Sequence, residues 1–317
     1  MTHDKQASTV FLTVALPAIQ WDCTEMKIPP KAIVPLNDLI DQVNRSNIST
    51  IGSVVARIIA VINNPDATAK ELVEIILTDP PLAANVLRLV NSAYCAPKNK
   101  IADIQQAVIF IGFEALKELA LNQKVCEIFK RNQNINGYSR ARLWKHSVAV
   151  ALFSKMIYRR EFAQRGENAY AVGLLHDLGI IIEDQFQNEI LTHILETAST
   201  RDIALVSAER EVLGYDHAQI GMALAENWKL PAEITMGIGY HHNPEQAPDA
   251  CVPFTRVLHI ANASCQKNDI GYCDATQQDE GLFNQCRQAL NLEPHALDLI
   301  MQEVQQKLTE MEAEGVL

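Results

Sequence analysis

The stretch Asn168-Ala169-Tyr170-Ala171-Val172-Gly173-Leu174-Leu175-His176-Asp177-Leu178-Gly179-Ile180-Ile181-Ile182 decides how the chain is read. Its apolar residues are too many and too continuous for a surface helix, so the segment is expected inside the fold as one helix over 168–182. Yet its centre carries an imidazole and a carboxylate, with Ala171, Leu174, Leu175 and Leu178 around His176. Polar groups placed among such neighbours need partners, because burying them unpaired costs several kcal/mol.

Working outward, three more helices repeat the anomaly. In the helix after Ser139, His146 falls in the stripe of Leu143, Val150, Phe153 and Ile157. In the helix opened by Asp216, His217 lies in line with Gly221, Leu224 and Trp228. After Pro231, Ile234 and Ile238 lead to His241 and His242. One inward histidine is ordinarily a hydrogen-bonded core residue. Four helices each aiming one at the core point to a shared polar or metal-lined pocket. Imidazole and carboxylate suit zinc, iron, manganese or nickel, and helical lobes build such sites from facing side chains.

The remaining sequence is helical in period. Helices are expected over 51–62, from Thr68 to Leu77, from Asp79 to Asn91, from Asp103 to Gly112 and from Phe113 to Phe129. Thr68 with Glu71 forms a capping box, and Asp79 before Pro80 places proline in the first helical turn. The polar run Arg131 to Gly137 is the best lobe boundary. Beyond it helices are expected near 139–160, 168–182, 184–198, 202–213, 217–229, 231–241, 252–266, 279–290 and 295–312. The chain therefore reads as all-α with two lobes: an N-terminal segment 1–30, a helical lobe 31–135, and a His-rich lobe 136–317. Short strands are expected only before residue 30. Ser8 to Ile19 imitates a signal peptide, but Asp4 and Lys5 precede it and no small-x-small cleavage site follows.

The chain has 317 residues with 27 Lys plus Arg and 38 Asp plus Glu, a formal charge of −11. Nucleic-acid binding and docking on anionic membranes both rest on basic surfaces, so neither is expected. The seven cysteines include no Cys-x-x-Cys pair, which argues for reduced, mostly buried thiols. No Walker or Gly-x-Gly-x-x-Gly phosphate loop and no Gly-x-Ser-x-Gly elbow is present.

The order His146, then Gly173-Leu174-Leu175-His176-Asp177-Leu178-Gly179, resembles the HD superfamily of metal-dependent phosphohydrolases. Asp216-His217-Ala218-Gln219-Ile220-Gly221 and His241-His242 look like the extra ligands of its HD-GYP branch, which hydrolyses cyclic dinucleotides. The first lobe is similar to the HDOD domain. It matches through Glu71-Leu72-Val73-Glu74-Ile75-Ile76-Leu77-Thr78-Asp79-Pro80-Pro81-Leu82, through Leu87-Arg88-Leu89-Val90-Asn91-Ser92-Ala93-Tyr94, and through Ile104-Gln105-Gln106-Ala107-Val108-Ile109-Phe110-Ile111-Gly112. The resemblance covers roughly residues 35–265. It implies an all-helical, bacterial, cytoplasmic regulatory protein with a signalling protein as partner. It also implies metal ligands at His146, His176, Asp177, His217, His241 and His242.

Several positions depart from the pattern of the active branch. Asn262 stands where an Asp closes the metal site, and Arg142 where a Glu ligates. Both are expected at the pocket edge. Ile180 replaces a Lys, and Asn243-Pro244-Glu245 follows the paired histidines in place of Gly-Tyr-Pro. Two readings stand. The first is a signalling module without efficient catalysis, holding at most one divalent transition metal, so that no residue is assigned as catalytic. The second is a metal-dependent phosphohydrolase acting on a nucleotide or cyclic dinucleotide, in which His176 and Asp177 would carry the chemistry.

Overall fold

The computed structural model describes residues 33–92, 95, 97–130, 134–135, 138–272, 279–313 and 317. The N-terminal segment 1–30, with its expected strands and its apolar run, lies outside the described residues, as do Ala93 and Tyr94.

The first lobe is built from α1 (Leu36–Asn44), α2 (Asn47–Asn63), α3 (Ala69–Leu77), α4 (Pro80–Val90), α5 (Ile104–Ile111) and α6 (Phe113–Cys126). Their starts follow the sequence signals. Thr68 accepts from Glu71 N, Asp79 from Leu82 N, and Asp103 from Gln106 N, each meeting a backbone donor that the helix itself leaves unpaired. Asn91 pins the following loop: its side chain donates to the Ile101 carbonyl and accepts from Ile101 N. At the expected lobe boundary β1 (Asn134–Ile135) and β2 (Tyr138–Ser139) form a two-residue antiparallel ribbon.

The second lobe contains α7 (Arg140–Glu161), α8 (Glu167–Leu175), α9 (Leu178–Phe186), α10 (Asn188–Arg201), α11 (Leu205–Leu213), α12 (His217–Asn227), α13 (Ala232–Tyr240), α14 (Val252–Lys267), α15 (Glu280–Ala289) and α16 (Pro294–Ala313). One expectation is corrected here. Residues 168–182 are not one helix: the chain breaks between α8 and α9, at His176 and Asp177. Packing enforces the break. Gly173 lies directly on the α7 backbone at Ala151, and Gly179 lies directly on the His217 carbonyl, so α8 and α9 each follow a different neighbour.

A continuous apolar core runs through both lobes. It includes Leu39, Val55, Ile58 and Leu116 from the first, and Val150, Phe153, Leu174 and Ile180 from the second. The Trp228 ring fills the space that a side chain at Gly52 would occupy, which presses α2 against the end of α12. Helix α1 packs on α2 and also on α9 and α12 of the second lobe. Among the described residues no single helix is long and apolar enough to cross a membrane.

Candidate metal centre

Four places in the second lobe deliver the histidines. His146 lies in the second turn of α7, His176 caps the C-terminus of α8, and His217 opens α12. His241 caps α13, with His242 next. His146, His176, His217 and His241 are 0–1% exposed and Asp177 is 5% exposed, while His242 is half-buried.

Their orientation follows from what the other ring nitrogen meets. Carbonyl oxygens only accept, so an imidazole nitrogen facing one carries the proton. His176 Nδ1 donates to Gly173 O at 2.9 Å, and His241 Nδ1 donates to Ile238 O at 2.7 Å. Both acceptors belong to the last turn of the helix that the histidine caps, where carbonyls lack a helical partner. His146 lies between two accepting oxygens, Ile270 O at 3.2 Å from Nδ1 and Asn262 Oδ1 at 2.9 Å from Nε2, and His217 Nδ1 donates to the Glu209 carboxylate at 2.8 Å. For His176, His217 and His241, Nε2 is left as the acceptor nitrogen, turned toward Asp177.

Asp177 sits between two groups of these atoms. Its Oδ2 faces His176 Nε2 at 3.1 Å and His146 Nε2 at 3.8 Å. Its Oδ1 faces His217 Nε2 at 3.5 Å and His241 Nε2 at 3.6 Å. His242 Nε2 is 2.9 Å from His217 Nε2, and Asn262 Oδ1 is 2.9 Å from His146 Nε2. Asp177 thus joins one group of His146 and His176 to another of His217, His241 and His242, and within each group the candidate ligand atoms lie within 4.8 Å of one another. Ligands bonded at about 2.1 Å to one ion stand roughly 3.0–4.2 Å apart, so the spacings suit coordination.

The donor chemistry also fits a cation. The Nε2 atoms of His176 and His241 are buried without a hydrogen-bond partner. Burial holds His146, His241 and His242 below the ordinary imidazole value, hence neutral and able to ligate.

Asn262, on α14, borders the His146 group as expected. Arg142 does not border it: its side chain is about half exposed and its guanidinium donates to Gly271 O at 3.0 Å, turned outward where water still solvates the charge. Ile180 is fully buried. His259, one turn before Asn262, donates from Nδ1 to the His241 carbonyl at 3.0 Å and so braces the paired histidines. Sequence reading missed Glu209 and Glu183, both 0% exposed. The signal was present, since each is a carboxylate placed among apolar helix positions.

The HDOD domain model matches residues 48–244, a span that includes the helix break and all six candidate ligands, while Asn262 lies beyond it. The chain belongs to the HDOD family. A Treponema pallidum (strain Nichols) protein of uncharacterised function is 28% identical over 217 residues, which is 68% of this HDOD chain and 42% of the relative. The chain thus spans less than half the length of that curated relative. Among solved structures, an HDOD domain protein of unknown function from Geobacter sulfurreducens is 27% identical, with TM-score 0.69 over 82% of this chain and 89% of that one. A candidate phosphohydrolase from Shewanella amazonensis SB2B is 24% identical, with TM-score 0.62 over 89% and 96% of the two chains. A candidate signal transduction protein from Marinobacter aquaeolei VT8 is 22% identical, with TM-score 0.67 over 88% and 64%. The last two likenesses speak to the fold alone.

Proposed function

We propose that this chain is a cytoplasmic regulatory HDOD module whose second lobe holds one divalent transition ion, and that it turns over phosphodiesters slowly or not at all. The observation that carries the reading is closure of the cluster: five of its six donors are at most 5% exposed. A catalytic ion keeps a coordination position open to water and substrate, whereas a structural ion is enclosed.

Charge supports the same reading. Among the described residues, Asp177 is the one carboxylate in direct contact with both histidine groups. Two divalent ions would bring four positive charges against Asp177 and the Glu209 carboxylate behind His217, in a core that screens poorly. One ion is matched by these two negative charges. The group of Asp177, His217, His241 and His242 offers the larger donor set, and mixed imidazole and carboxylate ligands suit iron, manganese, zinc or nickel. An ion bound there would polarise a water or a phosphoryl oxygen. The chain supplies little to hold a phosphate beside it: Ile180 is apolar, Arg142 is bound to Gly271, Lys145 pairs with Glu312 and Arg210 with Asp216. Ile109, Phe110 and Leu77 are large apolar side chains left exposed on α5 and α3, which pack on each other, and exposed apolar surface of this kind is what protein partners cover.

Elemental analysis of the purified full chain, with a phosphodiesterase assay on a cyclic dinucleotide in added Mn²⁺, tests the proposal. The expected result is about one ion per chain and turnover at or near background. Robust turnover that disappears in His176→Ala would replace this reading with the phosphohydrolase one, which the second donor group around His146 keeps chemically reasonable.

A further inference from the structure

We infer that Glu209 is a positioning residue: it fixes His217 in the Nδ1–H form, so that the Nε2 lone pair is presented to Asp177. The inference rests on the metal-binding reading for what His217 is positioned to do, but the tautomer itself is measurable without any metal.

The need for Glu209 comes from where His217 lies. His176 and His241 end their helices, and each takes a carbonyl from its own last turn. His217 begins α12, so no preceding helical turn can offer it one. A side chain from another helix fills the role. Glu209 of α11 accepts from His217 Nδ1 at 2.9 and 2.8 Å through its two oxygens, and from the His217 backbone N–H at 3.0 Å. The next residue, Arg210, grips the next position in the same way: its guanidinium donates to the carboxylate of Asp216, the cap of α12, at 2.6 and 2.7 Å. Two consecutive residues of α11 therefore clamp two consecutive residues at the start of α12.

Glu183 closes the arrangement from α9, the helix that follows Asp177 directly. It is fully buried, and neither of its carboxyl oxygens meets an N–H or O–H donor. As a carboxylate it would be a second unpaired charge beside Glu209. As a carboxylic acid it has a proton to give and Glu209 is the acceptor beside it. Burial first, and then the neighbouring Glu209 charge, hold Glu183 well above the ordinary carboxylate range, in keeping with this assignment. A carboxylate behind a metal-facing imidazole is a general device for fixing tautomer and ring orientation.

The test uses the full chain after chelation. Long-range ¹H–¹⁵N correlation of the imidazoles at neutral pH reads the His217 tautomer, and titration with Co²⁺ reads affinity. The wild-type chain is expected to carry the His217 proton on Nδ1. Glu209→Leu is expected to move it to Nε2 and weaken Co²⁺ binding by about 10- to 100-fold. Glu209→Gln keeps an accepting oxygen, so it retains the tautomer and loses less affinity than Leu. Glu183→Gln keeps a donor to Glu209 and is expected to leave both readouts close to wild type. A wild-type His217 protonated on Nε2 overturns the inference, and so does a folded Glu209→Leu chain with unchanged tautomer and affinity. If Glu209→Leu does not fold, the wild-type tautomer and Glu209→Gln decide. A wild-type chain with the expected tautomer but no Co²⁺ uptake supports the positioning role and defeats the metal-binding reading alone.

Discussion

At Asn262 an uncharged oxygen stands 2.9 Å from His146 Nε2, in the place where a carboxylate would complete the first donor group. Asn262→Asp adds one negative charge there with almost no change of shape. The expected outcome is a second ion per chain and tighter binding overall, by about tenfold or more, which is ~1.4 kcal/mol. Dialysis against Mn²⁺ followed by elemental analysis checks it; unchanged stoichiometry and affinity would mean that charge is not what limits the site. At this scale the clustered histidines were legible because imidazoles on apolar stripes stand out. Arg142 was misjudged because spacing along α7 places its Cα near the site but says nothing of which way a long side chain extends. Glu209 and Glu183 were passed over because acids are so common on helices that one on the inner face draws no notice without coordinates.

Among the elements, the break between α8 and α9 does the most to build the site, since it lets His176 and Asp177 both turn inward. Gly179 permits it by lying on the His217 carbonyl. Gly179→Ala would drive a methyl group into that backbone. It is expected to destabilise the chain by about 1–3 kcal/mol, the usual range for overpacking, and to weaken metal uptake with it. Urea unfolding of the chelated protein measures the first effect, and a midpoint equal to wild type would refute the packing argument. Helix starts were readable because Thr68, Asp79, Asp103, Ser139 and Asp216 each cap by side chain. The break was not, because its apolar residues continue the helical pattern through 176–177, and only contacts from Ala151 and His217 divide it. Helix α1 escaped notice because Pro35 at its start offers no side-chain cap.

Over the whole molecule, buried titratable groups set how stability varies with pH in the metal-free protein. His146, His241, His242 and His259 lie below their ordinary 6.5, so the unfolded chain takes up their protons first and stability is lost as pH falls through about 6.5. Glu183 lies above its ordinary 4.5, so its contribution is complete below that value and is lost as pH rises. Four imidazoles outweigh one carboxyl between about pH 5 and 6.5, and just above that the Glu183 slope remains. The unfolding midpoint of the chelated chain should therefore climb from pH 5 to about 6.5 and then level or decline; a midpoint that rises on acidification would contradict the burial of neutral histidines. The all-helical plan was legible from periodicity. The packing of α1 across α9 and α12 was not, because a sequence pattern marks a buried face without naming what buries it. The central claim is that a closed cluster around Asp177 binds one divalent ion. Equilibrium dialysis of the chelated full chain against Mn²⁺, with Asp177→Asn alongside, tests it most directly. The account predicts saturation at one ion per chain, abolished in Asp177→Asn; no saturable uptake, or uptake that Asp177→Asn leaves intact, would contradict it.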